Sequence, residues 1–468
     1  MPLKRVLVFS ATLALVIAVT PVARAGGPGD WTKVSSGDIS SIAEPGLLRM
    51  PDGDLHIVFM QMTSGGDDAY AHTEVSETGN TKGTAGERFL RWDALIADPD
   101  LIPVKTGGMR LVFSGIGPSP RDGGEMYSMV GDSDGDTWVL SMGSMSSTST
   151  PYTGYGNSAV MLADGTPVTS WPLNDTIYYH VGISGSIPAI TPDETFNNGD
   201  CCAYNTKLVR DGSKVYLAWY GNGDTAGSNG TFVRRILPTE GPEIKAPGSS
   251  VGSNSLSPDQ EVAMAARTQG GTYVAYCVGY PTCDHVGLWK VGSDHARRVP
   301  MSSGADSIAL AASKGGRLWV AWEKNSTGKI YAVRTNSDAN RFGAVRTIDA
   351  PASSFSVYRL AIEGSTGRGD IIINDADFLW HQQVLPGLRL AASPSRWDGD
   401  AARTVTFTVT DAGDPVDGAL VKVGTRQCTT GSAGRCTISF PAMGPQELTA
   451  VATKAGFAKA TRKLTVLA

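Results

Sequence analysis

A short phrase recurs seven times along this chain, and it restricts the fold more than any other feature. Each copy is an apolar run, a glycine turn and a second apolar run, as in KLVRDGSKVYLAW and IALAASKGGRLWVAW. The turns fall at Gly53, Gly108, Gly165, Gly212, Gly271, Gly316 and Gly367, roughly 50 residues apart. Alternating, β-branched and aromatic runs around such turns predict antiparallel strands. A unit of four short strands cannot bury both of its faces alone, and packing such sheets radially solves that problem. The expected fold class is therefore all-β: a seven-bladed β-propeller, with six or eight blades if one unit is misread. Amphipathic helical stripes are nearly absent, and Gly is abundant at 56 residues, in keeping with a turn-rich chain.

The second strands carry Phe59, Phe113, Trp171, Trp219, Tyr276 and Trp322, flat side chains suited to the wedge between neighbouring blades. HTEVS and ERFLRW complete the first unit, and EMYSMVG and TWVLS the second. The seventh unit ends after FLWHQQVL without a fourth strand. The orphan segment WTKVSS at residues 31–36 is expected to supply it and close the ring.

The opening residues 1–25 have the three parts of a secretory signal. Lys4 and Arg5 precede an apolar run from Val6 to Val19, and Ala23-Arg24-Ala25 forms a small-x-small cleavage site. The run is short for a membrane span, so the expectation is an exported protein, secreted or at the cell surface, with no membrane insertion. A formal charge of −5 without a long basic run argues against nucleic acid as a partner. A monomer is expected.

In an oxidising compartment the six cysteines suggest local disulfides. Cys428 and Cys436 flank a turn and would staple a hairpin, and Cys277 and Cys283 bracket VGYPT. Cys201 and Cys202 are adjacent, open to a vicinal bridge or to cross-pairing with the 277/283 pair. The spacings lack the paired CxxC sets of a zinc site.

After Pro386-Gly387 the phrase disappears. The segment 387–468, with PVDGALVKV and TTGSAGRCTI, resembles a bacterial immunoglobulin-like domain, which implies a small β-sandwich serving as spacer or adhesion module. Residues 26–386 form the expected propeller. Within it, GDSDGDTW at residues 131–138 resembles the Asp box of sialidases, S-x-D-x-G-x-T-W. Gly135, Thr137 and Trp138 match; Gly131 stands at the Ser and Ser133 at the Asp, with Asp134 the expected substitute. With the opening AEPGLLRMPDGDLHIVF, the likeness to sialidase-like propellers spans residues 31–385. It implies the architecture, not the sialidase reaction. The family's opening Arg, two residues before the strand's Pro, is replaced by Ala43 before Pro45, and no partner arginines can be assigned.

Loops leading into the first strands and loops following the second strands share one face of such a ring. Alignment of the first strands puts Glu44, Asp98, Asn157, Asn205, Glu261, Asp306 and Tyr358 at equivalent lead-in positions, with Tyr204 beside Asn205. Two suitably separated carboxylates there would serve as acid and base for glycosidic bond cleavage. The same oxygens would suit a hard cation, so calcium is possible although no cofactor is required. A purely structural reading also exists, because strand ends and loop rims need polar groups.

The loops after the second strands add Asp67, Asp68, Arg121, Asp122, Asn174, Asp175, Asp224, Asp284, His285, Glu323, Asp375 and Asp377. Acids, amides and nearby Tyr suit sugar hydroxyls, although turns alone also enrich Asp and Asn. Asp284 and His285 would form a general-base pair for a glycosidase or polysaccharide lyase. His56, His72, His180 and His381 fall in predicted strands, where packing is expected. The functional expectation is an extracellular carbohydrate-active protein, enzyme or non-catalytic binder, with a glycan or cell-surface protein as partner.

Overall fold

The computed structural model describes residues 28–37, 44–62, 68–92, 94–95, 99–116, 125–142, 156–173, 176–182, 189–190, 203–222, 229–250, 262–280, 282–324, 327–351, 359–375 and 377–468. Among them the only helical element is a 3-10 turn at Lys314–Gly316, and the chain is all-β. The expected signal peptide lies outside the described residues, as do Cys201 and Cys202. Among the described residues no helix is long and apolar enough to cross a membrane.

Among the described residues up to Val384, seven antiparallel sheets follow one another. Sheet I comprises Gly46–Arg49, Leu55–Met62, Asp68–Val75 and Thr81–Trp92. Sheet II comprises Asp100–Pro103, Met109–Ile116, Glu125–Gly131 and Trp138–Met142, with Ala94–Leu95 added beside its second strand. Sheet III holds Ser158–Met161, Pro167–Leu173, Thr176–Val181 and Ala189–Ile190. Sheet IV holds Ala203–Asp211, Lys214–Asn222, Asn229–Leu237 and Glu243–Lys245. Ala263–Ala266, Thr272–Val278, His285–Lys290 and Ala296–Arg298 form sheet V. Ser307–Ser313, Arg317–Lys324, Lys329–Arg334 and Arg346–Asp349 form sheet VI. Sheet VII takes Arg359–Glu363, Gly369–Asn374 and Leu379–Val384, and its fourth strand is Thr32–Lys33.

The first strand of each sheet touches the first strand of the next, and that of sheet VII touches that of sheet I. This circle defines a β-propeller. Closure is the one the sequence suggested: Thr32 pairs with His381 and Lys33 with Trp380. Val34 N donates to Leu379 O at 2.8 Å, and Thr73 Oγ1 of sheet I donates to Val34 O at 2.6 Å. Sheets I and II also approach closely, since a Cβ on Gly46 would come within 2.5 Å of the Pro99 carbonyl.

The core lies in the wedges between sheets. Phe59 packs with Ile372 and Leu379 between sheets I and VII, and Phe113 with Val58 and Tyr70 between I and II. Trp171, Trp219, Tyr276 and Trp322 fill the next wedges in turn. The last wedge, between VI and VII, is filled by Trp319 on the same strand as Trp322. One strand thus serves two wedges because its successive aromatics face opposite sides.

The glycine turn between the third and fourth strands of sheet II corrects one expectation. Asp132, not Asp134, gathers it, with Asp132 Oδ1 accepting from Asp136 N at 3.0 Å. Trp138 Nε1 donates to Gly135 O at 2.7 Å, and its ring stacks on Phe89 at 4.5 Å. Gly135 (φ +74°) lies on the His72 ring, where a Cβ would come within 2.3 Å.

Two further sheets follow Val384. One contains Arg389–Ser393, Arg403–Asp411, Asp414–Pro415 and Arg435–Phe440; the other contains Arg396–Asp398, Leu420–Val423, Arg426–Thr429, Gln446–Thr453 and Ala460–Leu467. Leu390, Phe407 and Ile438 of the first pack with Trp397, Val421 and Leu464 of the second. The Cys277–Cys283 and Cys428–Cys436 disulfides are present. The latter does not staple a hairpin, because Cys428 and Cys436 belong to different sheets and the bridge ties the two layers together.

A buried ion-pair network joins this unit to the ring. Arg334 Nη2 meets Asp411 Oδ2 at 2.5 Å, and Arg317 reaches Asp411 at 3.2 Å and Asp414 at 2.5 Å. Asp414 also accepts from Ser337 N at 2.9 Å. Removing one member strands buried charge, so Asp411→Ala is expected to cost about 3–5 kcal/mol. Calorimetry should show a separate, earlier transition for the C-terminal sheets. A single unshifted transition would show that the network does not couple the two units.

Candidate functional site

The first strands enclose an axial cavity of about 170 Å³. Small residues, Ala263, Ala309 and Ala361, let the strands approach, and Glu44, Asp100 and Lys207 bring charge to its wall. Asp100 and Lys207 escaped the sequence reading. Asp100 opens the first strand of sheet II, and its Oδ2 accepts from Ala159 N at 2.7 Å and Ser158 Oγ at 3.0 Å in sheet III. The lead-in alignment stopped two residues short of it, at Asp98. Lys207 follows a break in register between Tyr204 and Lys207, and that extra length disguised its place.

Of the aligned lead-in residues, Glu44, Asn157, Asn205 and Asp306 are described, and each sits at or beside the start of a first strand. Asp98, Glu261 and Tyr358 lie outside the described residues, as do Asp67, Arg121, Asp122, Asn174, Asp175 and Asp224. So do the side chains of Asp68 and Tyr204. Asn157 is fully buried and accepts from Ser114 Oγ at 3.0 Å, tying sheet III to sheet II. Asn205 is 1% exposed and holds a left-handed conformation, φ +57°, which Asn tolerates. Gly156 presses against it, and Thr206 N and Oγ1 both donate to Gly156 O, at 2.8 and 2.6 Å. The Asn157 amide thus ties the rim between sheets II and III, and Asn205 is packed against Gly156.

Sheet VI brings two acids together. Glu323, the penultimate residue of its second strand, pairs with Ser307, and Asp306 N donates to Glu323 O at 3.0 Å. Glu323 is 1% exposed. Burial raises its carboxyl to about 8, and the negative charge of Asp306 adds to the rise. The pair thus holds a neutral carboxylic acid next to an acidic partner at pH 7.

Asp284 and His285 do not assemble the expected dyad. No hydrogen bond joins their side chains, and His285 is the first residue of a strand, where adjacent side chains diverge. Burial lowers the imidazole's pKa, and the charge of Arg298 adds to this, against a smaller opposing effect of Asp284. Asp375 is occupied in a turn: Oδ1 accepts from Asp377 N and Phe378 N, and Oδ2 from Trp380 Nε1 at 2.8 Å. Among the described residues no group of three or more His, Cys, Asp or Glu side chains is placed to hold a metal ion.

No protein-family model matches the chain. No curated protein matches it either. Among solved structures, the microbial sialidase Hz136 from a Hadza source is 8% identical over 73% of this chain and 65% of its own, with a TM-score of 0.42. YCF48 bound to a D1 peptide is 11% identical over 76% and 97%, with a TM-score of 0.41. The α-L-arabinanase of Penicillium chrysogenum complexed with arabinobiose is 11% identical over 75% and 97%, with a TM-score of 0.40. Similarities of this size transfer no activity to this chain.

Proposed function

We propose that this is an exported glycoside hydrolase: a signal peptide at 1–25, a seven-bladed sialidase-like propeller at 26–386 and an immunoglobulin-like domain at 387–468. Its substrate is an extracellular glycan bound at the face where Glu323, Asp306 and Glu44 lie. Glu323 donates its proton to the departing glycosidic oxygen, and the Asp306 carboxylate serves the attacking side. The anomeric configuration of the first product tells whether it acts there as base or nucleophile.

The observation that supports this reading is the Glu323–Asp306 pair: a buried acid whose carboxyl is raised to about 8, beside a second acid whose backbone N–H donates to the Glu323 carbonyl. The test is a glycan array with the mature protein, with and without calcium, followed by product analysis on every hit. Hydrolysis is expected to lose activity at alkaline pH as Glu323 ionises near 8. Asp306→Asn should abolish hydrolysis, and thermal melts of this variant should place the Glu323 titration at lower pH, because the neighbouring negative charge is gone. Unsaturated products would replace the hydrolase by a lyase. Binding without turnover would leave a lectin-like module, and no binding to any glycan would end the proposal.

A further inference from the structure

A second concavity, of about 760 Å³, lies away from the axis between the outer strands of sheets VI and VII and the C-terminal unit. That volume falls within the range of small-molecule sites, roughly 300–1,000 Å³. Trp31, Trp380, Gln382, Arg346, Asp349 and Lys459 contribute to its lining. Its form follows from the closing strand. Pairing of the Thr32–Lys33 strand ends at Thr32 opposite His381, so the position facing Gln382 falls to Trp31, outside the ladder. Trp380 and Gln382 share one face of their strand, two residues apart.

Both indole N–H groups are committed within the protein. Trp31 Nε1 donates to Asp349 O at 2.7 Å, and Trp380 Nε1 to Asp375 Oδ2 at 2.8 Å. The rings are thereby held in fixed positions as aromatic surfaces with no N–H left to offer. Gln382 behaves differently. It is 3% exposed, and its buried Oε1 has no hydrogen-bond partner in the protein. An acceptor left so destabilises the fold, and a donor arriving from outside would remove that cost. Cations and an anion stand together on the wall, so it does not select a ligand by net charge.

We propose that this cleft is a binding site for a short neutral saccharide, stacked on Trp31 and Trp380 with a hydroxyl donating to Gln382 Oε1. Pyranose rings present apolar C–H faces to indoles and hydroxyls to amide, guanidinium and carboxylate groups, which matches the lining. The site does not depend on hydrolysis at the rim. It would hold a chain of sugar on the protein's flank whether or not that chain is cut.

The test is titration calorimetry and tryptophan emission on residues 26–468 with cellobiose, maltose, xylobiose and lactose, and with digalacturonate as a charged comparison. At least one neutral disaccharide is expected to saturate the protein with a dissociation constant in the micromolar to low-millimolar range and to change tryptophan emission. Gln382→Leu should weaken that binding tenfold or more while melting at the same or a higher temperature, since it deletes an unsatisfied buried acceptor. Glu323→Gln should bind as the parent does, which separates this site from the rim. Absence of saturation by every neutral disaccharide, full binding by Gln382→Leu, or preference for digalacturonate would each overturn the proposal.

Discussion

Glu323→Gln should melt higher than the parent at pH 8, match it at pH 4, and lose most of its hydrolysis. The carboxyl titrates near 8 in the folded protein against an ordinary 4.5, chiefly because it is buried. A raised carboxyl favours the fold only while it is protonated. Its contribution is fully present below pH 4.5 and is lost as pH rises toward 8. At about 1.4 kcal/mol per unit, that loss reaches on the order of 4 kcal/mol at pH 8. Glutamine keeps the shape of the neutral acid and cannot ionise, so the variant escapes the loss. Without a proton to donate, turnover should fall by about 10²–10⁴-fold. Thermal melts across pH 4–8 and product analysis check the two halves separately. A variant that gains stability yet cleaves normally would make Glu323 a buried acid with no part in the reaction.

That residue also shows how far the sequence could be read. Its strand was legible as far as Trp322, because KGGRLWVAW carries the turn and the alternation that recur through the chain, but the pattern puts Glu323 in the loop beyond, whereas the strand runs through it to Lys324. Its burial was not legible. Whether a side chain near a strand's end lies in water or beneath a rim depends on the neighbouring lead-in, and only the fold places Asp306 there. The wedge aromatics were readable for a related reason. Period-2 alternation fixes which face a residue occupies, and radial packing gives both faces the same kind of environment. Asn157 and Asn205 were harder to place, because amides in loops suit sugars and inter-sheet joints equally well; the bond from Ser114 ties Asn157 to sheet II, and Asn205 is buried against Gly156. Cys428 and Cys436 misled because eight residues of sequence separation look like a hairpin, whereas the chain changes layer between them.

His381 is the clearest case of chemistry hidden by pattern, and its partner carries the largest expected structural effect. Pattern alone put it in a strand, but it belongs to the seam that closes the ring. Asp370 is fully buried in sheet VII; Oδ1 faces His381 Nε2 and accepts from Gln383 Nε2, both at 2.9 Å, and Oδ2 meets Arg49 of sheet I. Arg49 also reaches Glu363 at 2.9 Å. Burial alone would raise the Asp370 carboxyl, but His381, Arg49 and Gln383 outweigh it and hold the group below the ordinary carboxylate range. Its stabilisation is therefore complete above about pH 4 and disappears as acid protonates the folded state. Asp370→Ala would leave the Arg49 charge and a buried imidazole without their shared acceptor, at a cost of about 3–5 kcal/mol. The variant should lose the steep acid limb of the parent's stability curve as well as its melting temperature. Because the fourth strand of sheet VII comes from residues 32 and 33, the loss should also appear as faster amide exchange at Thr32, Lys33 and Val34, the residues whose pairing completes the circle. Unchanged exchange there would mean that the backbone ladder closes the ring without help from the buried charges.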